Sequence, residues 1–399
     1  MSSGEPLKLR ILIIHNRYRL PGGEDVVADA QVKLLRKHGH EVKYFEKDNR
    51  EIDGYGLFRK AALFFKTSDN RASADEVARI ALEFKPHVAH VHNTLPLLSP
   101  SIYAPLKSAG VKVIQYLHNY RLVCAAGTLH RDGASCSLCV DDGLKHAVQH
   151  KCWTGSTAAT LAVTRMLERH RRLRTWENQV DLFVALNSFL RDVVVKKKIV
   201  PAANIVVQPN FIGVPLPAAE TLANAGNGFL FAGRFVAEKG IATLLKSHAL
   251  APEIELTVLG DGPLKDTFGP HAPTLTFAGQ RPRAELLQRL AAARALVFPS
   301  DWHEGCPAIV IEAMALGRPV IASRVAGATE LIDDGVNGLL FDTGDPAALA
   351  QCMRRLQNNP DEARRLGAAG RARYLNEYSI EAGYRRTIEN YRRLEIPVD

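Results

Sequence analysis

Residues 228–240 read GFLFAGRFVAEKG: an apolar, aromatic-rich run closes on Gly233, and a short polar loop carrying Arg234 and Lys239 leads to Gly240 and an amphipathic stretch. This is how a parallel strand hands over to a helix. Downstream the unit recurs at IELTVLG (254–260), TLTFAG (274–279), ALVFPS (295–300), RPVIAS (318–323) and NGLLFD (337–342). Upstream it recurs at LRILIIH (9–15), EVKYFE (41–46), HVAHVH (87–92), VKVIQYLH (111–118), DLFVALN (181–187) and NIVVQPN (204–210). Helical patterns separate most of these runs, so the alternation predicts two α/β domains, each on a doubly wound parallel sheet. A chain of 399 residues, 46% hydrophobic, is long enough for two such cores.

The expected division is a first domain over 1–210, a linker at 211–226 and a second domain over 227–380. The linker is rich in Pro, Ala and Gly and lacks periodicity. The last segment, YSIEAGYRRTIENYRRL (378–394), sets Tyr384, Ile388, Tyr391 and Leu394 at helical spacing, an apolar stripe that needs a partner surface. Formal charge is +9 and uneven. Residues 1–200 hold 31 Lys and Arg against 20 Asp and Glu, and the remainder 20 against 22. The basic half is suited to an anionic partner such as lipid headgroups, a pyrophosphate-bearing acceptor or nucleic acid, or simply carries a solvated basic face. MSSGEPLKLR leads straight into a strand and no apolar run is long enough to span a bilayer, so a cytoplasmic protein is expected, its six cysteines free or metal-bound rather than disulfide-paired.

Ligands of open α/β sheets bind beyond the C-terminal strand ends. Arg234 and Lys239 occupy such a loop, and two cations beside a helix N-terminus suit a pyrophosphate. After ALVFPS the chain reads DWHEGCPAIVIEAMALGRP (301–319), with Glu304 and Glu312 flanking a Gly305–Cys306–Pro307 turn. Pro307 fits the start of a helix, and the backbone N–H groups around Gly305 and Cys306 point to a phosphate. Glu312, a turn and a half further on, faces the sheet, where a bare carboxylate is costly. Either the vicinal hydroxyls of a ribose or an arginine such as Arg318 would satisfy it. Gly22 and Gly23 follow the first strand and permit close approach of a phosphate or acceptor, or else form a tight turn.

These motifs in this order (RLPGGEDVV, LHNYR, FAGRFVAEKG, VLGDGPL and EGCPAIVIE with AMALGRPVIAS) resemble the retaining glycosyltransferases of family four, which include the glycogen and sucrose synthases. The resemblance implies a GT-B fold, two Rossmann-like domains facing each other across a deep cleft. The domain over 1–210 would take the acceptor and that over 227–380 the nucleotide-sugar, with the C-terminal helix (381–399) crossing back. It further implies that Arg234 and Lys239 neutralise the donor pyrophosphate, that Glu304 contacts the donor sugar, that Glu312 binds the ribose, and that His118 is an active-site residue. Asn119 stands where many relatives carry an acid, which puts the usual orienting partner of His118 in question. Gly260, Gly279 and Arg281 lie where base and sugar selectivity are set. The expected reaction moves a hexose from a UDP- or GDP-sugar to a glycan or lipid-linked acceptor in cell-surface polysaccharide or glycoconjugate synthesis. Retention without an evident nucleophile implies front-face attack. With no Asp-x-Asp pair after a strand, no cofactor is expected for catalysis.

Cys124, Cys136, Cys139 and Cys152 fall within 29 residues, the middle pair as Cys-x2-Cys, which suggests a structural zinc ion with His146 and His150 as substitute ligands, or four buried thiols. In TRMLERHRRLR (164–174), Arg165, Arg169, Arg171, Arg172 and Arg174 interleave with Met166, Leu167 and Leu173, suiting a helix on an anionic membrane surface or ordinary packing. Among other readings, a sugar-nucleotide epimerase or donor-binding pseudo-enzyme would share the fold. A zinc-containing nucleic-acid-binding protein would fit the pI near 9.2 but leaves the glutamates unexplained, so no nucleic-acid partner is expected.

Overall fold

The computed structural model describes residues 7–19, 22–214, 226, 228–269 and 271–398. Most of the expected linker (215–225), with Leu20 and Pro21 of the first glycine motif, lies outside the described residues. The chain forms two compact units: Met1–Leu129 with Ser137–Asn210 and Gly383–Asp399, and His130–Cys136 with Phe211–Ala382.

All twelve expected runs become strands, six in each unit. The first unit holds β1 (Arg10–Arg17), β2 (Glu41–Asp48), β3 (Val88–Val91), β4 (Lys112–Leu117), β7 (Leu182–Ala185) and β8 (Ile205–Val207), ordered β2-β1-β3-β4-β7-β8 and parallel throughout. A two-residue hairpin, β5 (His130–Arg131) and β6 (Ala134–Ser135), interrupts the series and belongs to the second unit. The second sheet holds β9 (Phe229–Ala232), β10 (Leu256–Leu259), β11 (Leu275–Gly279), β12 (Ala295–Phe298), β13 (Val320–Ser323) and β14 (Gly338–Phe341), ordered β11-β10-β9-β12-β13-β14 and again parallel. Central strands are buried on both faces, as helices on either side of a parallel sheet require, so they read as unbroken apolar runs. Strand order reverses between β1 and β3 in one sheet and between β9 and β12 in the other, and loops at such reversals diverge to opposite faces and leave a crevice.

Residues from Gly383 onward pack within the first unit. Tyr391 is buried beneath that sheet with its hydroxyl 2.9 Å from His90 Nε2, and Asn390 donates to Gln208 Oε1 at 2.7 Å. The apolar stripe of the last helix thus finds its partner surface.

Candidate functional site

In the second unit the loops after β9 and β12 open side by side. Two glycines let backbones meet there. A Cβ on Gly240 (φ +68°) would lie 1.7 Å from the Pro299 carbonyl oxygen, and one on Gly260 (φ +140°) 1.9 Å from that of Gly233. This close approach brings Lys239 Nζ to 2.6 Å from Glu304 Oε1, which also accepts from Ser300 Oγ at 3.0 Å. The ammonium lies 5.8 Å from the Trp302 ring centre. Arg234, from the same β9 loop, is exposed and makes no ion pair among the described residues. Gly305 and Cys306 are half-buried between Glu304 and Pro307, which caps the helix Ala308–Ala315.

Glu312 sits inside that helix, 5% exposed. Its partner is Arg283, not Arg318: Arg283 Nη2 lies 2.5 Å from Oε1, and the Arg318 N–H is bonded to the Ala313 carbonyl. Burial pushes the Glu312 carboxyl above its ordinary range, and Arg283 offsets only part of this. Gly260 donates its N–H to Gly279 O at 3.0 Å, which ties the β10 and β11 ends together, and Arg281 Nε folds back onto Ala278 O of β11 at 2.7 Å. Sequence reasoning missed Arg283 and Ser300. A conspicuous Arg-Pro-Arg beside a helix start marks the first, and nothing marks the second.

In the first unit, Gly22 is the residue before the helix Gly23–Lys37. Its N–H donates to Asp25 Oδ2 at 2.7 Å in a capping arrangement, and Asp25 Oδ1 takes Tyr18 N and His15 Nε2 at 3.2 and 2.8 Å. Burial raises the Asp25 pKa, but these bonds outweigh it and hold the carboxyl below its ordinary value. The helix start is therefore complemented by the chain's own carboxylate, and the Gly22 N–H is not available to a phosphate. A Cβ on Gly23 would meet nothing within 4 Å.

His118 follows β4 and lines a cavity with Glu24, His92, Asn119 and Arg121. Its Nε2 is 2.8 Å from His92 Nδ1, the two rings lie edge to edge within 17° of coplanar, and His92 Nε2 is 2.9 Å from Gln31 Oε1. Burial lowers the pKa of both imidazoles. Asn119 Oδ1 turns back to accept the Arg121 N–H at 3.0 Å.

The four cysteines do not assemble. Cys124 and Cys139 are buried and share a thiol hydrogen bond, which with the N–H groups of Leu129, Gly127 and Thr128 draws Cys124 down to about 5 against the effect of burial. Cys136 belongs to the other unit, and His146 is taken by Asp142 at 2.7 Å. Among the described residues no group of three or more His, Cys, Asp or Glu is placed to hold a metal ion. In the basic helix Thr157–Arg172, Met166 and Leu167 pack in the core, as ordinary packing requires, whereas Leu161 and, just beyond the helix, Leu173 are exposed beside the arginines. No described helix is long and apolar enough to cross a membrane.

Residues 21–214 match the model of glycosyltransferase family 4, and residues 217–373 that of the glycosyl transferases group 1. The chain belongs to the family-four glycosyltransferases. This glycosyltransferase is 32% identical over 183 residues to the alpha-maltose-1-phosphate synthase of Mycolicibacterium smegmatis, 41% of this chain and 47% of that one. It is 32% identical over 154 residues to the lipopolysaccharide core biosynthesis glycosyltransferase LpsE of Rhizobium meliloti, 38% and 45% of the two chains. The matched stretches thus span less than half of these relatives. Its fold is GT-B, shared with sucrose-phosphate synthase of Thermosynechococcus elongatus (TM-score 0.69, 20% identity, 97% of this chain and 99% of that one). The UDP complex of Anabaena HepE is similar in fold (TM-score 0.65, 16% identity, 96% and 99%).

Proposed function

We propose that this glycosyltransferase moves a hexose from a UDP- or GDP-linked donor, with retention, to a hydroxyl of a glycan or lipid-linked acceptor in cell-surface polysaccharide or glycoconjugate synthesis. The observation that carries the reading is the Lys239–Glu304 pair at the β9/β12 reversal with Arg234 unmatched beside it. Arg234 and Lys239 would take the pyrophosphate, the Gly305–Pro307 turn would add backbone dipoles, Glu312 would bind the ribose, and Glu304 the transferred sugar. Charge develops on the β-phosphate as the nucleotide leaves, so fixed cations there act chiefly on the transition state and no metal is needed. The acceptor hydroxyl would attack from the leaving group's face, its proton passing to the departing phosphate. The UDP complex of HepE and the lipopolysaccharide role in LpsE's name favour a nucleotide-sugar and a glycan-bearing acceptor.

The place of action is the cytoplasmic side of an anionic membrane. What supports it is the helix Leu57–Lys66 rather than the arginine-rich one. Leu57, Phe58 and Phe65 are 86%, 94% and 63% exposed, with Ala61 between them at helical spacing and Arg59, Lys60 and Lys66 alongside. Apolar side chains left in water beside cations suit a lipid–water boundary.

The deciding experiment compares Lys239→Ala and Glu304→Gln with the unaltered enzyme in nucleotide-sugar binding and transfer. Each loses about 2.7–4 kcal/mol of transition-state stabilisation, roughly 100- to 1000-fold in turnover, while remaining folded. Full activity in either variant removes the site assignment. An epimer formed without acceptor would favour the epimerase reading instead.

A further inference from the structure

The histidine cavity of the first unit contains a hydrogen-bond chain whose polarity fixes what His118 can recognise. His92 follows β3 at the β1/β3 strand reversal and is fully enclosed, with the Tyr116 and His118 ring centres 4.8 and 5.1 Å away. Its two nitrogens have one partner each, Gln31 Oε1 at 2.9 Å from Nε2 and His118 Nε2 at 2.8 Å from Nδ1. An amide oxygen only accepts, so His92 Nε2 carries a proton and donates to Gln31. Among the described residues no carboxylate bonds to His92, Asp25 being taken by His15, and burial beside the His118, His15 and His90 imidazoles keeps the ring neutral. A neutral imidazole protonated on Nε2 has a lone pair on Nδ1, so the short contact to His118 requires the proton on His118 Nε2. Burial disfavours the charged form of His118 as well, and in the neutral ring Nδ1 is a bare lone pair. It makes no hydrogen bond among the described residues and belongs to a ring that lines the cavity.

We infer that His92 is a positioning residue, which with Gln31 holds His118 as its Nε2–H tautomer and presents Nδ1 to the cavity as an acceptor for a sugar hydroxyl. The polyol specificity rests on the transferase reading above; the tautomer does not. His118 in this state selects a ligand group with a proton to give and rejects a deoxy, fluoro or O-methyl analogue at that position. The usual acidic neighbour of this histidine is replaced by Asn119, which bonds elsewhere, and the Gln31–His92 chain does the orienting from behind the ring.

Two-bond proton–nitrogen NMR on the full chain with labelled histidine reads the tautomer directly, the His118 signals being assigned by their loss in His118→Gln. At pH 7.5 the unaltered protein should show a protonated Nε2 and a bare Nδ1 at His118. His92→Phe should give an averaged mixture and His92→Asn, whose amide oxygen can accept in place of Nδ1, should keep the original state. Turnover should fall about tenfold or more in His92→Phe, on the scale of removing the orienting partner of a functional imidazole, and recover in His92→Asn. Should the phenylalanine variant not fold, Gln31→Leu removes the same polarity and should produce the same mixture. A protonated Nδ1 in the unaltered protein, or an unchanged tautomer in both His92→Phe and Gln31→Leu, overturns the inference. The expected tautomers in a protein that transfers no sugar would remove the proposed function and leave the hydrogen-bond chain standing.

Discussion

Glu312 gives the sharpest separation of folding from function. Its carboxyl is nearly enclosed, and its charged partner Arg283 has a side chain 50% exposed, so the pair is screened on one side and desolvated on the other. A carboxyl whose folded pKa lies above its unfolded value binds more protons when folded. Stability is therefore lost as pH rises from the unfolded value, near 4.5, through the raised one, and the whole penalty is present above both. Glu312→Gln keeps the shape and an acceptor oxygen for Arg283 while removing the charge. Replacing both partners of a buried ion pair by apolar residues gains about 1–4 kcal/mol; here only the enclosed charge is removed and Arg283 is left in solvent rather than buried unpaired, so the gain is about 1 kcal/mol. For a unit of this size that raises the melting temperature by roughly 2–4 °C. Thermal unfolding of the unliganded proteins should show this gain at pH 8 and a smaller one at pH 5. Nucleoside diphosphate binding should move the opposite way, because a hydrogen bond to a charged group is worth about 1.5–3 kcal/mol, or roughly 10- to 150-fold in affinity. A Gln variant that melts below the parent at pH 8, or that binds nucleotide with full affinity, refutes the reasoning.

Gly240→Ala drives a methyl into the Pro299 carbonyl at a left-handed position and should cost at least about 3 kcal/mol, seen as a lower urea midpoint. Leu57→Glu with Phe58→Glu should cut co-sedimentation with anionic vesicles at least tenfold without lowering the melting temperature, since neither side chain is buried in the fold. Unchanged sedimentation would remove that helix from the membrane reading. Excess chelator should leave both turnover and melting temperature unaltered, and a drop in either would restore a metal to the cysteine region or the donor site.

The strands were legible because parallel sheets bury both faces, so β-branched runs such as RILIIH and LFVA carry no polar alternation to obscure them. Their spatial order was not, because it depends on which crossover helix covers which face. Lys239 and Glu304 could be read as site residues from their places after strands, but not as partners: 65 residues separate them, and only the β9/β12 adjacency joins them. Arg283 escaped for the same reason. In the arginine-rich helix Met166 and Leu167 face the core, whereas the helix Leu57–Lys66 leaves Leu57 and Phe58 in water. Composition alone cannot say which face of a helix the fold covers. The cysteine spacing could be read as zinc ligands or as buried thiols, and a Cys-x2-Cys pair alone does not distinguish them, because the remaining ligands depend on how the backbone turns.

The internal ion pair of the donor loop bears on how such a site is kept ready. An unpaired Lys239 in a half-buried loop would incur a desolvation penalty and swing freely; held at 2.6 Å by Glu304, itself fixed by Ser300, it points along one direction before any ligand arrives. In the proposed site an incoming pyrophosphate would exchange one charge-assisted bond for another, so the enthalpic change at Lys239 would be small, whereas Arg234, unengaged among the described residues, would gain its anion outright. Ground-state affinity should therefore come mainly from Arg234. Lys239 would contribute when charge builds on the leaving phosphate and outbids the carboxylate, releasing Glu304 oxygens toward the sugar. In that division of labour Arg234→Ala weakens binding more than turnover and Lys239→Ala turnover more than binding. Two cations five residues apart then do different work because only one of them has a carboxylate to leave.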